Sequence, residues 1–430
     1  MIRLVVWLAV CLLVALLLRR QPGFALAGVL MLRLLVPAVA ANTFTGLPVT
    51  SPIGFHPATW LTLTLFVVMA VTAPRPLVLA VIKHRYVALI CVVFIVGAGL
   101  TSVIAGSGGT RLLIDQIAAP VLIAFMILAV GRGARDRQLL QGTIVLAAVV
   151  QSIISFAQLA TGSVLFFEDA YLRIYWFDPE RNTRWMGTTD SPLLLSLLLT
   201  VAGALVLGYR SSILRFALLF LFTASSLVTQ SRTGTGFMIV LLLVAIFLTR
   251  MSLLSRIASV VAATVAVIVV SSSGLAGGLT GRLEDDTGSS AARLSAFQFG
   301  LSEMQHYIFS GSGLGSSFDI ARDAGLQTSL ESSFLMYALD VGLILATLYF
   351  GMQLVLLLRY GLVSAEWAVL ASLICLVSLN GSSALAFGNF TGMLSWATLA
   401  LVMVGADNLR PEPSQGRVSA LSRVRISRAS

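Results

Sequence analysis

The chain has 430 residues, 58% of them hydrophobic and only 11% charged, with a mean hydropathy of +0.96. A water-soluble fold cannot hide that much apolar surface, so soluble classes are excluded and an all-α, polytopic integral membrane protein is expected. The net charge of +10 reads as loop topology plus a basic tail on an anionic leaflet, with no nucleic-acid footprint.

A bilayer core of roughly 30 Å needs about 20 mostly apolar residues per helix. Such runs recur at 2–18, 22–40, 57–73, 86–106, 112–130, 139–161, 191–208, 213–229, 236–249, 254–273, 332–358, 364–380 and 390–406, giving about 12–13 spans. Alternate connections carry Arg19 and Arg20; Arg75, Lys83 and Arg85; Arg132, Arg135 and Arg137; Arg210 and Arg215; Arg250 and Arg256; and Arg359. With the tail arginines from Arg410 to Arg428 they mark the cytoplasmic side. The organisation expected is N-terminal membrane helices over 1–161, an extracytoplasmic loop over 162–190, central helices over 191–273, a large extracytoplasmic loop over 274–331, C-terminal helices over 332–406 and a cytoplasmic tail over 407–430. Thirteen spans place the N-terminus outside, and twelve place both ends inside.

Polar residues within or beside the spans are the functional candidates. Arg33 lies mid-span in the second run, Asp115 near the outer end of the fifth, and an Arg33–Asp115 pair is expected. Cys11, Cys91 and Cys375 fall within spans and read as small core residues. His56, His84 and His306 are too dispersed to suggest a zinc site. The first outer loop ends in RNTRWMGTTDSPLLL, where Asp190 or Ser191 caps the next helix and Pro192 suits its first turn, favouring an anion near Arg184. The connection TQSRTGTG is so short that Arg232 stays at the mouth of two spans, where it needs a carboxylate, a carbonyl or a ligand.

In the second outer loop, Leu294, Phe297, Leu301, Met304 and Ile308 recur at steps of three or four, the mark of an amphipathic helix lying at the interface. Arg293 then sits at headgroup level, as a snorkelling anchor or a diphosphate ligand. The comb SGSGLGSS follows, with Gly311, Gly313 and Gly315 at every second position. It lacks the flanking strand and helix of a nucleotide loop, so it either permits a tight return of the chain or turns its amides to an anionic lipid headgroup. Glu331 stands where this loop re-enters the membrane, as a helix-terminal charge or as a base for a hydroxyl. Asp340 lies about two turns further on. Glu284, Asp285 and Asp286 read as a solvated acidic run, and no acidic cluster has a divalent-metal pattern, so neither metal nor cofactor is expected.

The segments RWMGTTDSP before a span, SRTGTG opening the next outer-facing span, and the run from Arg293 through GSGLG to ESSFLMYALDVGL together resemble the bacterial O-antigen ligase and O-antigen polymerase family. The resemblance covers roughly residues 180–345. Where the family often carries His-Asn this chain has Glu331 and Ser332, while Asp340 and Gly342 match the later part of the motif. The resemblance implies a GT-C-like, metal-independent glycosyltransferase of the bacterial cytoplasmic membrane with its active site on the extracytoplasmic side. An acceptor hydroxyl would attack the anomeric carbon of a polyprenyl-diphosphate-linked glycan, with Glu331, Arg232 and Arg293 in catalytic roles and Arg184, Asp190, the comb glycines and Asp340 in substrate binding. Membrane lipids, a donor glycan, an acceptor glycan, a chain-length regulator and a flippase are the partners such a system implies. A repeat-unit polymerase fits best; a ligase, a flippase or transporter, and a structural subunit are the rivals.

Overall fold

A computed structural model of the chain describes residues 2–48, 51–131, 133–172, 184–248, 256–257, 259–261, 287–364, 366–385 and 387–409. Most of the expected span 254–273, the acidic run at Glu284 and the tail from 410 lie outside the described residues. Every described regular element is a helix. In chain order these include α1 (Ile2–Leu17), α2 (Pro22–Leu35), α3 (Ala41–Thr45), α4 (Pro57–Thr72), α5 (Pro74–Lys83), α6 (Arg85–Ala105), α7 (Thr110–Val130), α8 (Ala134–Thr161) and α9 (Glu168–Tyr171). There follow α10 (Pro192–Val206), α11 (Ser212–Val228), α12 (Arg232–Leu248), α13 (Thr287–Glu303), α14 (Ser316–Asp323), α15 (Ser333–Val341), α16 (Leu343–Gly361), α17 (Ala368–Asn380) and α18 (Thr391–Leu409).

Five of these helices are long and apolar enough to cross a membrane, and seven if each bent pair counts as one span. The expectation of about 12–13 full-length spans is therefore met only in part. Proline accounts for part of the shortfall, because it lacks an N–H and fixes φ. The second run turns by 96° beyond Val36 and Pro37, and the third run ends where Pro74 turns the chain by 103° into α5. The run 332–358 divides at Gly342, whose φ of 102° suits glycine, into α15 and α16. The remaining apolar helices, among them α1, α10, α11, α12 and α17, are shorter.

Burial separates centre from rim. The apolar window of α18 is 83% buried, packed against α7, whereas that of α6 is only 28% buried. Exposed α6 residues such as Val92, Val96, Leu100 and Val103 face outward, as expected of a helix solvated by lipid. Cys11, Cys91 and Cys375 are buried free thiols. One end of the bundle gathers Lys83–Asp407 at 2.9 Å and Arg137–Glu366 at 2.7 Å; Arg111–Asp115 and Arg293–Glu331 belong to connections assigned to the other end by their charge.

The break after α2 strands backbone groups inside the bundle, and three other segments bond them. Gln151 Nε2 donates to the Leu34 carbonyl at 2.8 Å, Thr188 Oγ1 to Leu35 at 2.5 Å and His56 Nε2 to Val36 at 3.0 Å. His56 Nδ1 accepts the Ala58 amide, which fixes the neutral Nε2–H tautomer. The Val39 amide donates to Asp190 Oδ1 at 3.0 Å. Asp190→Ala should leave that amide unpaired and lower the thermal midpoint of the purified protein by the equivalent of about 1–3 kcal/mol. Asp190→Asn keeps an acceptor and should lose clearly less.

Candidate active site

The glycine comb finds an anion, but the anion belongs to the protein. Asp340 is fully buried in α15, and its Oδ2 accepts the Gly315 amide at 2.9 Å. Its Oδ1 accepts the Ser317 amide at 2.7 Å and the Ser316 hydroxyl at 3.2 Å, so Asp340 caps α14 from outside. The Gly313 amide donates to the Asp340 carbonyl at 2.7 Å. A Cβ on Gly311 would stand 2.2 Å from the Asp340 carbonyl carbon, and Gly313 has φ 90°. These amides, expected either to permit a tight return of the chain or to face a lipid headgroup, are donated to Asp340, and the comb closes the loop onto the helix break at Gly342. Asp340→Ala should therefore lower folded yield and thermal stability, with Asp340→Asn intermediate, whatever substrate is present.

A cavity of about 240 Å³ lies nearby, at the starts of α10 and α12 and the end of α17. Serine caps both starting helices: Ser191 Oγ accepts the Leu194 amide and Ser231 Oγ the Gly234 amide, each at 3.3 Å. Ser191, Leu193 and Leu194 of the first, and Ser231, Thr233 and Gly234 of the second, line the cavity. Two positive helix-dipole ends therefore meet at one space. Gly234 makes that approach possible, since a Cβ there would lie 1.7 Å from Ser196 Oγ.

Arg293 and Glu331 also line the cavity, joined at 3.2 Å. Glu331 immediately precedes Ser332, which caps α15 by accepting the Leu335 amide at 3.4 Å. The pair is 53% and 26% exposed, so it is worth about 0–1 kcal/mol and an incoming anion can take Arg293 from it. Glu331 has φ 49°, and Gln230, in the turn before α12, has φ 52°. A non-glycine residue in the left-handed region is strained, and such strain concentrates at functional sites.

α13 brings Arg293 here by packing Ala296 and Gly300 inward, where a Cβ on Gly300 would meet Leu335 at 3.0 Å. Leu294, Phe297 and Leu301 face outward, as the amphipathic pattern expects, but the helix tightens to a 3₁₀ turn at Met304–Tyr307 and the stripe does not continue as one α-helical face.

The other expected residues do not line the cavity. Arg232 is flanked by the lining residues Ser231 and Thr233 but does not line the cavity itself. Arg184 Nε donates to the Thr229 carbonyl at 3.1 Å, bracing the turn that precedes Arg232. Asp190 turns away from the cavity to the α2 break. Burial pushes its carboxyl up to about 6, opposed by the amides of Ala38 and Val39 and the charges of Arg33 and Arg111. The expected Arg33–Asp115 contact is replaced by Arg111–Asp115 at 3.6 Å and by the His56 amide on Asp115 at 3.1 Å, while Arg33 donates to the Asn389 carbonyl. The arginine one turn before Asp115 on the same helix has the shorter reach.

The lining residues Ser191, Ser196, Ser231, Thr233, Ser378, Ser382 and Ser383 were not assigned binding roles from sequence. Their only signal is a recurrence of hydroxyls at helix ends. Among the described residues no group of three or more His, Cys, Asp and Glu could hold a metal ion. No family model, curated protein or solved structure matches the chain.

Glu331→Gly should relieve the left-handed strain and raise the thermal midpoint by the equivalent of about 0.5–1 kcal/mol, while abolishing activity if the carboxylate acts on substrate. A midpoint lowered by 1 kcal/mol or more would mean that Glu331 holds the fold.

Proposed function

We propose that the chain is a membrane glycosyltransferase that polymerises polyprenyl-diphosphate-linked oligosaccharide repeats at the outer face of the bacterial cytoplasmic membrane. The observation that carries this reading is a cavity where two helix N-termini and Arg293 surround one exchangeable carboxylate. Leu193 and Val377 line this cavity and are also exposed on the apolar flank of the bundle, which suits a substrate arriving from the lipid. In this reading the shorter apolar helices complete about 12–13 spans in a GT-C-like architecture.

The donor diphosphate binds at the starts of α10 and α12 and takes Arg293 from Glu331. Arg232 and Arg184 add positive charge from the neighbouring turn. The released Glu331 carboxylate accepts the proton of the acceptor hydroxyl as its oxygen bonds to the anomeric carbon. The bond from that carbon to the diphosphate oxygen breaks, and the electron pair leaves with the diphosphate. Neither step draws on a further reactant.

Broken helices give a transporter reading some footing, since transporter sites often form at such breaks. Here the carbonyls at the α2 break are already bonded by Gln151, Thr188 and His56, which argues against an open ion or substrate site there.

Cells lacking the protein should accumulate single lipid-linked repeats accessible to an impermeant reagent from outside. Repeats trapped on the inner face would mean a flippase, and full-length polymer left on its carrier would mean a ligase. Arg293→Ala should reproduce the deletion at normal membrane levels, and Glu331→Gln should reduce polymerisation by about tenfold or more.

A further inference from the structure

The cavity is electrically two-sided. α10 packs against both α12 and α17 and forms the back of the space between them. The α12 side is a helix start beside Arg293. The α17 side is a helix end, where the last carbonyls carry partial negative charge. The Gly381 amide bonds the Ser378 and Val377 carbonyls, and Ser382 Oγ donates to the Ser378 carbonyl at 2.9 Å. Ser378, Ser382, Ser383 and Phe387 present hydroxyls and one aromatic ring, and no cation lines this wall among the described residues. A diphosphate belongs on the first side; a neutral polyol, which both donates and accepts hydrogen bonds, fits the second.

This wall is held in register with Glu331. Ser333, two residues beyond Glu331, donates through Oγ to the Ser382 carbonyl at 3.0 Å and accepts the Leu385 amide at 3.2 Å. Tyr337 OH donates to the Leu385 carbonyl at 3.3 Å, and Gln116 Nε2 to the Phe387 carbonyl at 2.6 Å. Arg33 fixes the far end at Asn389. Side chains of α2, α7 and α15 thus hold the segment that carries this wall in one shape, as expected where a loop must present a site.

We infer that the wall formed by Ser378, Ser382, Ser383 and Phe387 is the acceptor subsite and takes the hydroxyl-rich terminal sugar of the acceptor glycan. This rests on the glycosyltransferase reading. It adds the class of the acceptor end: a hydroxyl-rich sugar, whose hydroxyls match the serines and whose ring face can stack on Phe387.

Two probes separate the two sides of the cavity. One is the free, uncharged repeat glycan released by mild acid from the lipid-linked material of cells lacking the protein; the other is undecaprenyl diphosphate without sugar. Binding of each is measured to the full-length protein in lipid nanodiscs. Ser383→Leu, which fills the wall, should weaken glycan binding by about tenfold or more and leave undecaprenyl diphosphate within about twofold. Arg293→Ala should do the reverse. A combined Ser378→Ala and Ser382→Ala variant, with its thermal midpoint checked against wild type, repeats the test without added bulk. Equal losses for both probes, or no loss of glycan binding, would overturn the subsite while leaving the glycosyltransferase reading intact. Wild-type protein that binds neither probe would overturn both.

Discussion

A helix that stops inside an apolar bundle exposes amides and carbonyls with no water to bond them, and several parts of this molecule are organised around that constraint. At the α2 break the carbonyls of Leu34, Leu35 and Val36 are taken by Gln151, Thr188 and His56. At the start of α14 the amides of Gly315 and Ser317 are taken by Asp340. The segment between α17 and α18 is bonded by Ser333, Tyr337, Gln116 and Arg33. Each bond crosses between elements far apart in sequence, so the polar groups that satisfy the backbone also fix the relative positions of the helices.

The cavity stands out against this pattern. Around it the helix starts are capped by serines alone, the charged pair is half exposed, and a glutamate sits in a conformation that favours glycine. The groups at the α2 break, at the start of α14 and between α17 and α18 bond one another across elements, whereas the Arg293–Glu331 pair is open to solvent. Weak mutual bonding is what a site needs if binding energy is to be realised with substrate instead of being held in the resting fold. The rigid surroundings and the loose centre are therefore parts of one arrangement, with Ser333 and Ser332 marking the boundary between them two residues and one residue from Glu331.

Much of this was legible in the sequence, and the exceptions have physical causes. Hydropathy located the apolar runs, while Pro192 and Ser191 marked the start of α10 because their local chemistry does not depend on tertiary partners. The break at Gly342 was hidden because apolar residues flank it on both sides, and hydropathy does not register φ. Asp340 was visible as a buried acid, but its partners lie about 25 residues earlier in a segment that also suits a phosphate. Arg293 and Glu331 were each identifiable; their pairing depends on Gly300 seating α13 against Leu335. The serines of α17 carried no signal of their own, since their role depends on which helix stands across the cavity.

The outward face of α13 ties the site to its surroundings. Leu294, Phe297 and Leu301 leave this helix with an apolar stripe that no other described segment covers, directly beside Arg293. In the proposed membrane setting this stripe meets the level at which headgroups give way to acyl chains. Gly300 seats the other face of the helix against Leu330 and Leu335, so a change in bilayer thickness acts on Arg293 and Glu331 through one packed unit.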